Sequence, residues 1–301
     1  MKFTKKHNSI LVTGSNGFIG KNLLDHLLSD YDVFAINKTL DKKRKGYHPI
    51  KHDISSLTEK SISKKFTGII HMAAATDVFW CQQHPRECFK INVIGTQRVL
   101  DLARKNNCKL IYLSTAHVYG KPKTNPISEE HQTNPQSIYA ASKLAGEILC
   151  QAYANSYNLD ISVIRLFSVY GPFSPNHLVT SRIIAQLNDK EIKLGNITAK
   201  RDFIFVDDVI NAIKLIFKKS KGFNIYNVGT GKSHSIFEIC NLIKEISGKN
   251  IPITVENSLV RKLDIKEITA NNKKLKKIGW KSKTELKQGL KITLDRYLSN
   301  S

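Results

Sequence analysis

A tyrosine and a lysine one helical turn apart form the most reactive pair in the sequence. Tyr139 and Lys143 lie in the segment Ser-Ile-Tyr-Ala-Ala-Ser-Lys at 137–143, which predicts the start of a helix. Residues at positions i and i+4 of a helix share one face. A tyrosine is a poor base because its pKa is about 10. A fixed ammonium about 6 Å away contributes roughly 3 kcal/mol at an effective dielectric near 20, or about two pK units. The pair therefore predicts a phenolate within reach of neutral pH.

A glycine-rich stretch near the N-terminus has the composition of a phosphate-binding turn. An apolar run at 10–12 predicts a buried strand, and Gly14, Gly17 and Gly20 follow it directly. An amphipathic helix with Leu23 and Leu27 on its apolar stripe comes next. Glycines let the backbone turn and approach a ligand closely, and the first N–H groups of the helix face an anion. The strand–turn–helix context favours a dinucleotide site over a tight turn without a ligand.

The end of the second predicted strand, at 32–36, bears on which dinucleotide binds. An acidic residue there usually holds the adenosine ribose of NAD. This chain instead has Asn37 and Lys38, followed by a basic loop to Lys45. Asparagine does not repel a 2′-phosphate and lysines attract one, so NADP is favoured over NAD. The alternative is that Asn37 bonds a ribose hydroxyl and the lysines are only solvated.

Two further predicted strands end in polar or small residues. The third, at 47–52, is followed by Asp53, which could accept from an adenine amino group or could cap the next turn; both interpretations stay open. The fourth, at 68–72, carries His71, which we interpret as a hydrogen-bonded structural histidine rather than a proton carrier. The small residues at 73–75 would let a flat cofactor come close to the backbone.

A long helix and a fifth strand complete the pattern of the first half. The helix predicted over 85–106 contains Asn92, whose side chain could tie the helix to a neighbouring strand end. The strand predicted at 109–113 runs into the hydroxyl-rich segment 114–120. Ligands of doubly wound sheets sit at the carboxyl ends of the strands, so this segment is a candidate for substrate contacts.

Composition limits the class of protein. The chain has 301 residues, enough for one large α/β domain or two coupled lobes, and its net charge is +22. The lysines are scattered in short groups, which predicts a basic surface that attracts anionic substrates rather than a nucleic-acid site. Five cysteines lack metal-ligand spacing and fit a reducing cytoplasm. No apolar run is long enough to predict a membrane span or a signal peptide.

The combined motifs resemble the extended short-chain dehydrogenase/reductase family, of the NAD-dependent epimerase/dehydratase type. The resemblance rests on Thr-Gly-x-x-Gly-x-x-Gly at 13–20, Ser114-Thr115 and Tyr-x-x-x-Lys at 139–143. The stretches 165–172, 201–208 and 226–231 look like the branch that modifies nucleotide sugars. The resemblance covers nearly the whole chain. It implies an α/β fold, with a Rossmann doubly wound parallel sheet at 1–172, to which 205–230 returns, and a smaller nucleotide-sugar-binding lobe at 173–301.

The resemblance also implies roles for individual residues. Tyr139 would be the acid/base, Lys143 the ribose anchor and Thr115 the hydroxyl that bonds the reacting sugar oxygen. The predicted cofactor-binding residues are Gly14, Asn16, Gly17, Phe18, Ile19, Gly20, Asn37, Lys38, Asp53, Ile54, Ala73, Ala74, Ala75, Asn92, Ser114, Tyr139, Lys143, Phe167 and Val169. The predicted substrate-binding residues are Thr115, Ala116, His117, Tyr139, Ser168, Arg201 and Arg261, the two arginines clamping the diphosphate. A homodimer formed through the 85–106 and Tyr139 helices is implied as well.

Departures from the family pattern narrow the range of reactions expected of this chain. Ser168 stands where Asn is usual, and Lys262 follows Arg261 where Pro is usual. Ala116 and His117 stand where sugar 4,6-dehydratases carry an Asp-Glu pair, which argues against elimination of water.

The reaction expected is then hydride transfer at the sugar C4. It would serve either reduction of a 4-keto sugar or 4-epimerisation. The NADP-tolerant strand end favours reduction. So do the compact chain and the similarity of 201–209 and 270–280 to 4-keto-6-deoxyhexose reductases of the CDP-abequose synthase type. The 4-epimerase is the alternative, and a non-catalytic cofactor sensor would not need Thr115, Tyr139 and Lys143 together.

Overall fold

The computed structural model describes residues 8–40, 42–260 and 265–299 of the chain. The first part alternates strands with helices: β1 Asn8–Thr13, α1 Phe18–Leu28, β2 Tyr31–Asn37, β3 Tyr47–Lys51, β4 Gly68–His71, α2 Val78–Gln83, α3 Pro85–Phe89, α4 Gly95–Asn106, β5 Lys109–Thr115, α5 Ile138–Tyr157 and β6 Ile161–Leu166. The remainder contains β7 Ser168–Tyr170, α6 Val179–Ala185, β8 Ile192–Leu194, β9 Lys200–Arg201, β10 Phe203–Phe205, α7 Val206–Lys219, β11 Phe223–Val228, β12 His234–Ser235, α8 Ile236–Ser247, β13 Ile253–Val255, β14 Glu267–Ile268, α9 Lys273–Lys277 and α10 Leu286–Leu298.

A seven-stranded parallel sheet in the order β11-β6-β5-β4-β1-β2-β3 forms the centre of the fold. The inner strands β1, β4, β5 and β6 are buried along almost their whole length, because a parallel sheet is covered by helices on both faces. In β1, for example, Ile10, Leu11 and Val12 are completely buried. The order 3-2-1-4-5-6 is that of the doubly wound nucleotide-binding fold, so the predicted Rossmann architecture is confirmed.

The strand order reverses next to β1, and this reversal positions the candidate site. Thr13, the last residue of β1, pairs with Ile36 of β2 on one side and with His71 of β4 on the other. The carboxyl ends of the three strands are therefore level. A crevice outside the sheet is expected at this switch point, directly where the glycine-rich turn leaves β1.

The chain divides into two compact units, here called unit one and unit two. Unit one contains the chain up to Val118, Ser137–Ile164 and Ile213–Ile225, and unit two contains Tyr119–Gln136, Arg165–Ala212 and the chain from Tyr226. The predicted division was 1–172, with 205–230 returning to it, and 173–301. It differs from this one for 119–136, 165–172, 205–212 and 226–230, which belong to unit two.

Two buried carboxylates organise unit two. Asp202 accepts backbone N–H bonds from Thr230, Gly231 and Ala270, at 2.7, 2.8 and 3.0 Å. Asp208 accepts from the backbone N–H groups of Lys283 and Thr284, at 2.9 and 3.0 Å. The acidic residues of the 201–208 motif thus hold the loops of this unit in place.

The helix predicted over 85–106 is divided into three parts. It consists of α3, a π-helical segment at Lys90–Ile94, and α4. The predicted fifth strand is two residues longer than expected, because Ser114 and Thr115 still belong to β5. Within the described part of the chain, no helix combines the length and the apolar composition needed to cross a membrane.

Candidate active site

The glycine turn after β1 is shaped by positions where a side chain does not fit. Gly14 has a φ of +77°, and a Cβ built on it would lie 2.7 Å from the backbone nitrogen of Ala73. A Cβ on Gly20 would lie 2.5 Å from the Cα of Ser15. Gly17 is the N-cap of α1, and because it has no side chain, the N-cap residue provides no side-chain hydrogen bond to the first N–H groups of this helix. The turn therefore fits a phosphate group, because free N–H groups at a helix start bind anions.

Asn37 fixes the glycine turn from the end of β2. Its amide oxygen accepts from the Asn16 N–H at 3.2 Å, and its amide nitrogen donates to Ser15 Oγ at 2.7 Å. The Ser15 hydroxyl is also 3.1 Å from the hydroxyl of Tyr47. Asn37 is buried, so its first role is to position the turn.

A cavity of about 410 Å³ opens beside this turn in unit one. This volume is within the usual range for small-molecule sites. Seven predicted cofactor residues line the cavity: Gly14, Asn37, Lys38, Ile54, Ala73, Ala74 and Ala75. The sequence analysis missed six others: Ile36, His52, Thr76, Asp77, Trp80 and Ile91. The predicted residues Asn16, Phe18 and Ile19 belong to the turn and to the first turn of α1.

Charged groups at one end of the cavity are already paired. The Lys38 ammonium lies 3.6 Å from Asp53 Oδ2. Asp53 Oδ1 accepts from the backbone N–H and the hydroxyl of Ser55, both at 2.8 Å. Burial alone would raise the pKa of Asp53, but the bonds from Ser55 and the Lys38 charge outweigh it and lower the pKa. The capping interpretation of Asp53 is confirmed, and adenine recognition stays a prediction.

His71 connects the glycine turn to the helical layer. Thr13 Oγ1 accepts from the Met72 and Ala73 N–H groups, so its own proton goes to His71 Nδ1 at 2.7 Å. Thr96 Oγ1 donates to the Asn92 carbonyl, so His71 Nε2–H donates to Thr96 at 3.0 Å. This network assigns a neutral imidazole with the proton on Nε2. Burial, and then the charge of Lys143, lower the pKa of His71 to about 3. The predicted structural role of His71 is confirmed.

Asn92 links the cavity wall to the helix that carries Tyr139. It lies in the π-helical segment, a feature frequent at functional sites. Its amide oxygen accepts from the Ala75 N–H at 2.7 Å, and its amide nitrogen donates to Ala75 O and to Ser142 Oγ, both at 2.9 Å. The predicted tie to a strand end is confirmed. It extends to α5, because the Ser142 hydroxyl donates to the Tyr139 carbonyl at 2.7 Å.

Tyr139 and Thr115 are brought together at the start of α5. Ser137 caps this helix by accepting from the Ala140 N–H at 3.1 Å, which places Tyr139 in the first turn. Tyr139 is hydrogen-bonded with the side chain of Thr115. Thr115 Oγ1 also accepts from the His117 N–H at 3.2 Å, and the His117 and Tyr139 rings meet edge to face at 6.1 Å. Ala116 is buried in the single 3₁₀ turn that carries His117.

The protonation state of Tyr139 differs from the sequence-based prediction. Burial raises its pKa to about 12, with the hydrogen bond to Thr115 opposing the rise. Burial also lowers the pKa of Lys143 to about 8, and its ammonium lies 4.1 Å from the centre of the Tyr112 ring. The prediction of a phenolate near neutral pH was therefore wrong for this structure, since desolvation dominates the pKa of Tyr139 and the Lys143 ammonium lies over the Tyr112 ring. Tyr139 is a neutral phenol at pH 7.

The predicted site residues of unit two lie in short strands or, for Phe167, between two strands. Phe167 is buried, and its N–H donates to Val228 O at 3.1 Å. Ser168 and Val169 lie in β7, which pairs with β10. Arg201 Nη1 donates to the carbonyls of Lys200 and Ile265, at 2.8 and 2.7 Å. Arg261 and Lys262 lie outside the described residues, and all these cofactor and substrate roles stay predictions.

Comparison with known proteins places this geometry in a family. A sequence profile of the NAD dependent epimerase/dehydratase family matches residues 10–229. The UDP-glucose 4-epimerase of Mycolicibacterium smegmatis is 32% identical over 97% of this chain and 99% of that protein. The structure of the Thermus thermophilus UDP-glucose 4-epimerase complexed with NAD is 28% identical, with a TM-score of 0.88 over 97% of this chain and 100% of that one. The Bacillus cereus UDP-glucuronic acid 4-epimerase in complex with UDP-glucuronic acid and NAD is 27% identical, with a TM-score of 0.89 over the same shares. The chain therefore belongs to the NAD dependent epimerase/dehydratase family.

Proposed function

We propose that this chain is an NAD-dependent 4-epimerase of a nucleoside diphosphate sugar. The observation that carries the proposal is the pairing of Thr115 with Tyr139, on a helix tied through Asn92 to the wall of the cavity. A hydroxyl and a phenol side by side suit the transfer of a proton to or from a sugar oxygen. The similarity to a UDP-glucose 4-epimerase over almost the full length supports C4 as the reacting carbon.

The residues of the chain would supply proton transfer and orientation. NAD bound at the glycine turn would supply the hydride acceptor and donor for C4. Tyr139 takes the proton of the C4 hydroxyl and gives it back, and Thr115 holds the same oxygen. Because Tyr139 starts as a phenol, its own proton must first pass to solvent before the phenolate can take the proton of the C4 hydroxyl, and the charge of Lys143 would favour that phenolate. A lysine with a pKa of about 8 is mostly charged at pH 7.

Elimination of water is not supported by the residues beside Thr115. A dehydratase needs an acid and a base on neighbouring carbons of the sugar. Ala116 has no titratable group and is buried, and His117 alone does not provide the pair. The proposed reaction is therefore hydride and proton exchange at one carbon.

Reduction of a 4-keto sugar is the second candidate function. It is favoured by one observation, the raised pKa of Tyr139, because a neutral phenol is the form that protonates a keto oxygen. This candidate needs an external supply of reduced cofactor, whereas an epimerase recycles one bound NAD. The two functions differ in stoichiometry, which makes them easy to separate.

The proposed cofactor is NAD rather than NADP, although the sequence favours NADP. The attraction of Lys38 for a 2′-phosphate is weakened because its ammonium already pairs with Asp53. Asn37 has its amide engaged with the glycine turn. The Thermus and Bacillus structures both contain NAD.

The substrate proposed is a UDP-sugar, and Arg201 and Arg261 would hold its diphosphate as bidentate donors.

The proposed assembly is a homodimer in which α4 and α5 face their counterparts. Ile148 and Tyr157 on α5 are exposed apolar side chains that such contact would cover. Size-exclusion chromatography with light scattering tests the dimer, and Ile148→Lys should convert it to a monomer.

The function is tested by product analysis with three probes: UDP-glucose, UDP-glucuronic acid and UDP-N-acetylglucosamine. The purified protein with NAD is expected to convert one of them to its C4 epimer without net change in the nicotinamide absorbance. Consumption of reduced cofactor in proportion to product, with a 4-keto sugar as substrate, would establish the reductase instead. Tyr139→Phe is the matched negative control.

A further inference from the structure

Glu147 is a buried carboxylate that the proposed reaction does not use. It lies on α5 one turn beyond Lys143 and is only 3% exposed. The Ser114 hydroxyl, at the end of β5, donates to Glu147 Oε1. Tyr139, Lys143 and Glu147 occupy positions i, i+4 and i+8 and therefore follow one face of the helix. A buried acid in this position calls for an explanation, because carboxylates are almost never fully buried unless paired.

We propose that Glu147 is the positioning residue of Lys143, acting as the buried counter-ion that keeps its ammonium charged beside the cofactor. The reactive motif is then Tyr-x-x-x-Lys-x-x-x-Glu rather than Tyr-x-x-x-Lys. This inference rests on the proposed function, in which charged Lys143 serves the cofactor and Tyr139. It assigns Glu147 no contact with substrate or cofactor.

The surroundings of Lys143 explain why a counter-ion is needed. Lys143 is only 4% exposed, and its ammonium lies over the Tyr112 ring. The titratable groups around it are His71 from β4, Tyr112 from β5, Cys88 from α3, and Cys150 and Glu147 from α5. His71 is neutral, and burial raises the pKa of the Cys150 thiol well above its usual range. Among these groups Glu147 is the one carboxylate, and its charge opposes the loss of the lysine proton.

Glu147 also fixes the residue that precedes Thr115. Since Ser114 donates to Glu147, the end of β5 is attached to the same helical face that carries Tyr139. The carboxylate therefore joins two parts of the site, the hydroxyl-bearing strand end and the charged lysine. Ser114, predicted to bind cofactor, has this hydrogen bond as its first structural role.

The test compares the pH dependence of NADH binding in wild type and in Glu147→Gln. Binding is measured as the quenching of Trp80 fluorescence by NADH, since Trp80 lies in the cavity wall. A charge pair about one turn apart shifts the lysine pKa by roughly one to two units. If binding needs charged Lys143, Glu147→Gln should bind within about twofold of wild type near pH 6 and roughly 20-fold more weakly near pH 8.5. Trp80→Phe, which retains buried Trp280, is the control for the signal and should abolish the quenching.

Matched variants separate the charge from packing. Asp101→Asn removes another carboxylate close to α5, one bonded to Tyr153 at 2.7 Å, and should leave the pH dependence unchanged. If Glu147→Gln lost the same NADH affinity at every pH, or lost none, the role of Glu147 would be overturned while the proposed function stayed intact. Absence of NADH binding by wild type would instead refute the proposed function and this inference with it. If Glu147→Gln does not fold, Glu147→Asp must fold and keep the wild-type pH profile, and its failure to do so counts against the proposal.

Discussion

His71 should make the protein sensitive to mild acid. The imidazole is 1% exposed and held neutral between Thr13 and Thr96, with its pKa lowered from 6.5 to about 3. Below pH 6.5 the unfolded chain binds a proton at His71 and the folded chain does not. The free energy of unfolding is therefore highest above pH 6.5 and falls as the pH is lowered towards 3. At about pH 4.5 the loss corresponds to about two pK units, or about 3 kcal/mol of unfolding free energy. The glycine turn should loosen in the same range, since protonated Nδ1 no longer accepts from Thr13.

Denaturant unfolding at about pH 7 and pH 4.5 measures this effect, with His71→Asn as the variant that cannot titrate. The variant is less stable than wild type at neutral pH because it loses the bond to Thr96. The difference between the two proteins should shrink by about 3 kcal/mol on acidification. Thr96→Ser keeps the hydroxyl and should preserve the wild-type pH dependence. A difference that stays constant between the two pH values would refute the neutral, buried assignment of His71.

Three further predictions concern the reaction and its ligands. Tyr139→Phe should lower turnover by roughly 10² to 10⁴, the usual range for loss of a positioned acid/base, with cofactor binding almost unchanged; turnover within a few-fold of wild type would remove Tyr139 from the mechanism. Arg201→Ala and Arg261→Ala should each weaken substrate binding by about 1.5 to 3 kcal/mol in calorimetry, and an equal loss for NAD would mark them as structural. Asn37→Asp should weaken NADP more than NAD in fluorescence titrations, because a carboxylate repels the 2′-phosphate; equal changes would show that position 37 does not select the cofactor.

Elements governed by local rules could be predicted from the sequence. The start of α8 is an example, because Ser235 and Glu238 have the Ser-x-x-Glu spacing of a capping box. In the structure Ser235 Oγ accepts from the Glu238 N–H at 3.1 Å, and the Glu238 carboxylate accepts from the Ser235 N–H at 2.8 Å. Helical spacing also placed Tyr139 and Lys143 on one face of α5. The role of Asn92 followed from a polar side chain in an amphipathic helix beside a strand end.

Features that depend on tertiary contacts could not be predicted in the same way. The bond between Ser114 and Glu147 joins residues 33 positions apart on two different elements. The raised pKa of Tyr139 depends on its burial and on where the Lys143 ammonium lies, neither of which spacing determines. The position of Trp80 in the cavity wall was not predicted, because an aromatic residue in a short helix is equally compatible with a packing role. The π-helical segment around Asn92 has no periodic signal of its own.

The most direct test of the central claim follows the hydrogen at C4. The three UDP-sugar probes, each carrying deuterium at C4, are incubated with the protein and NAD in ordinary water and examined by NMR and mass spectrometry. Hydride transfer to a bound cofactor and back predicts a C4 epimer that retains the deuterium, with no such product from Tyr139→Phe. Loss of the deuterium to solvent, or no C4 epimer from any of the three probes, would contradict the account.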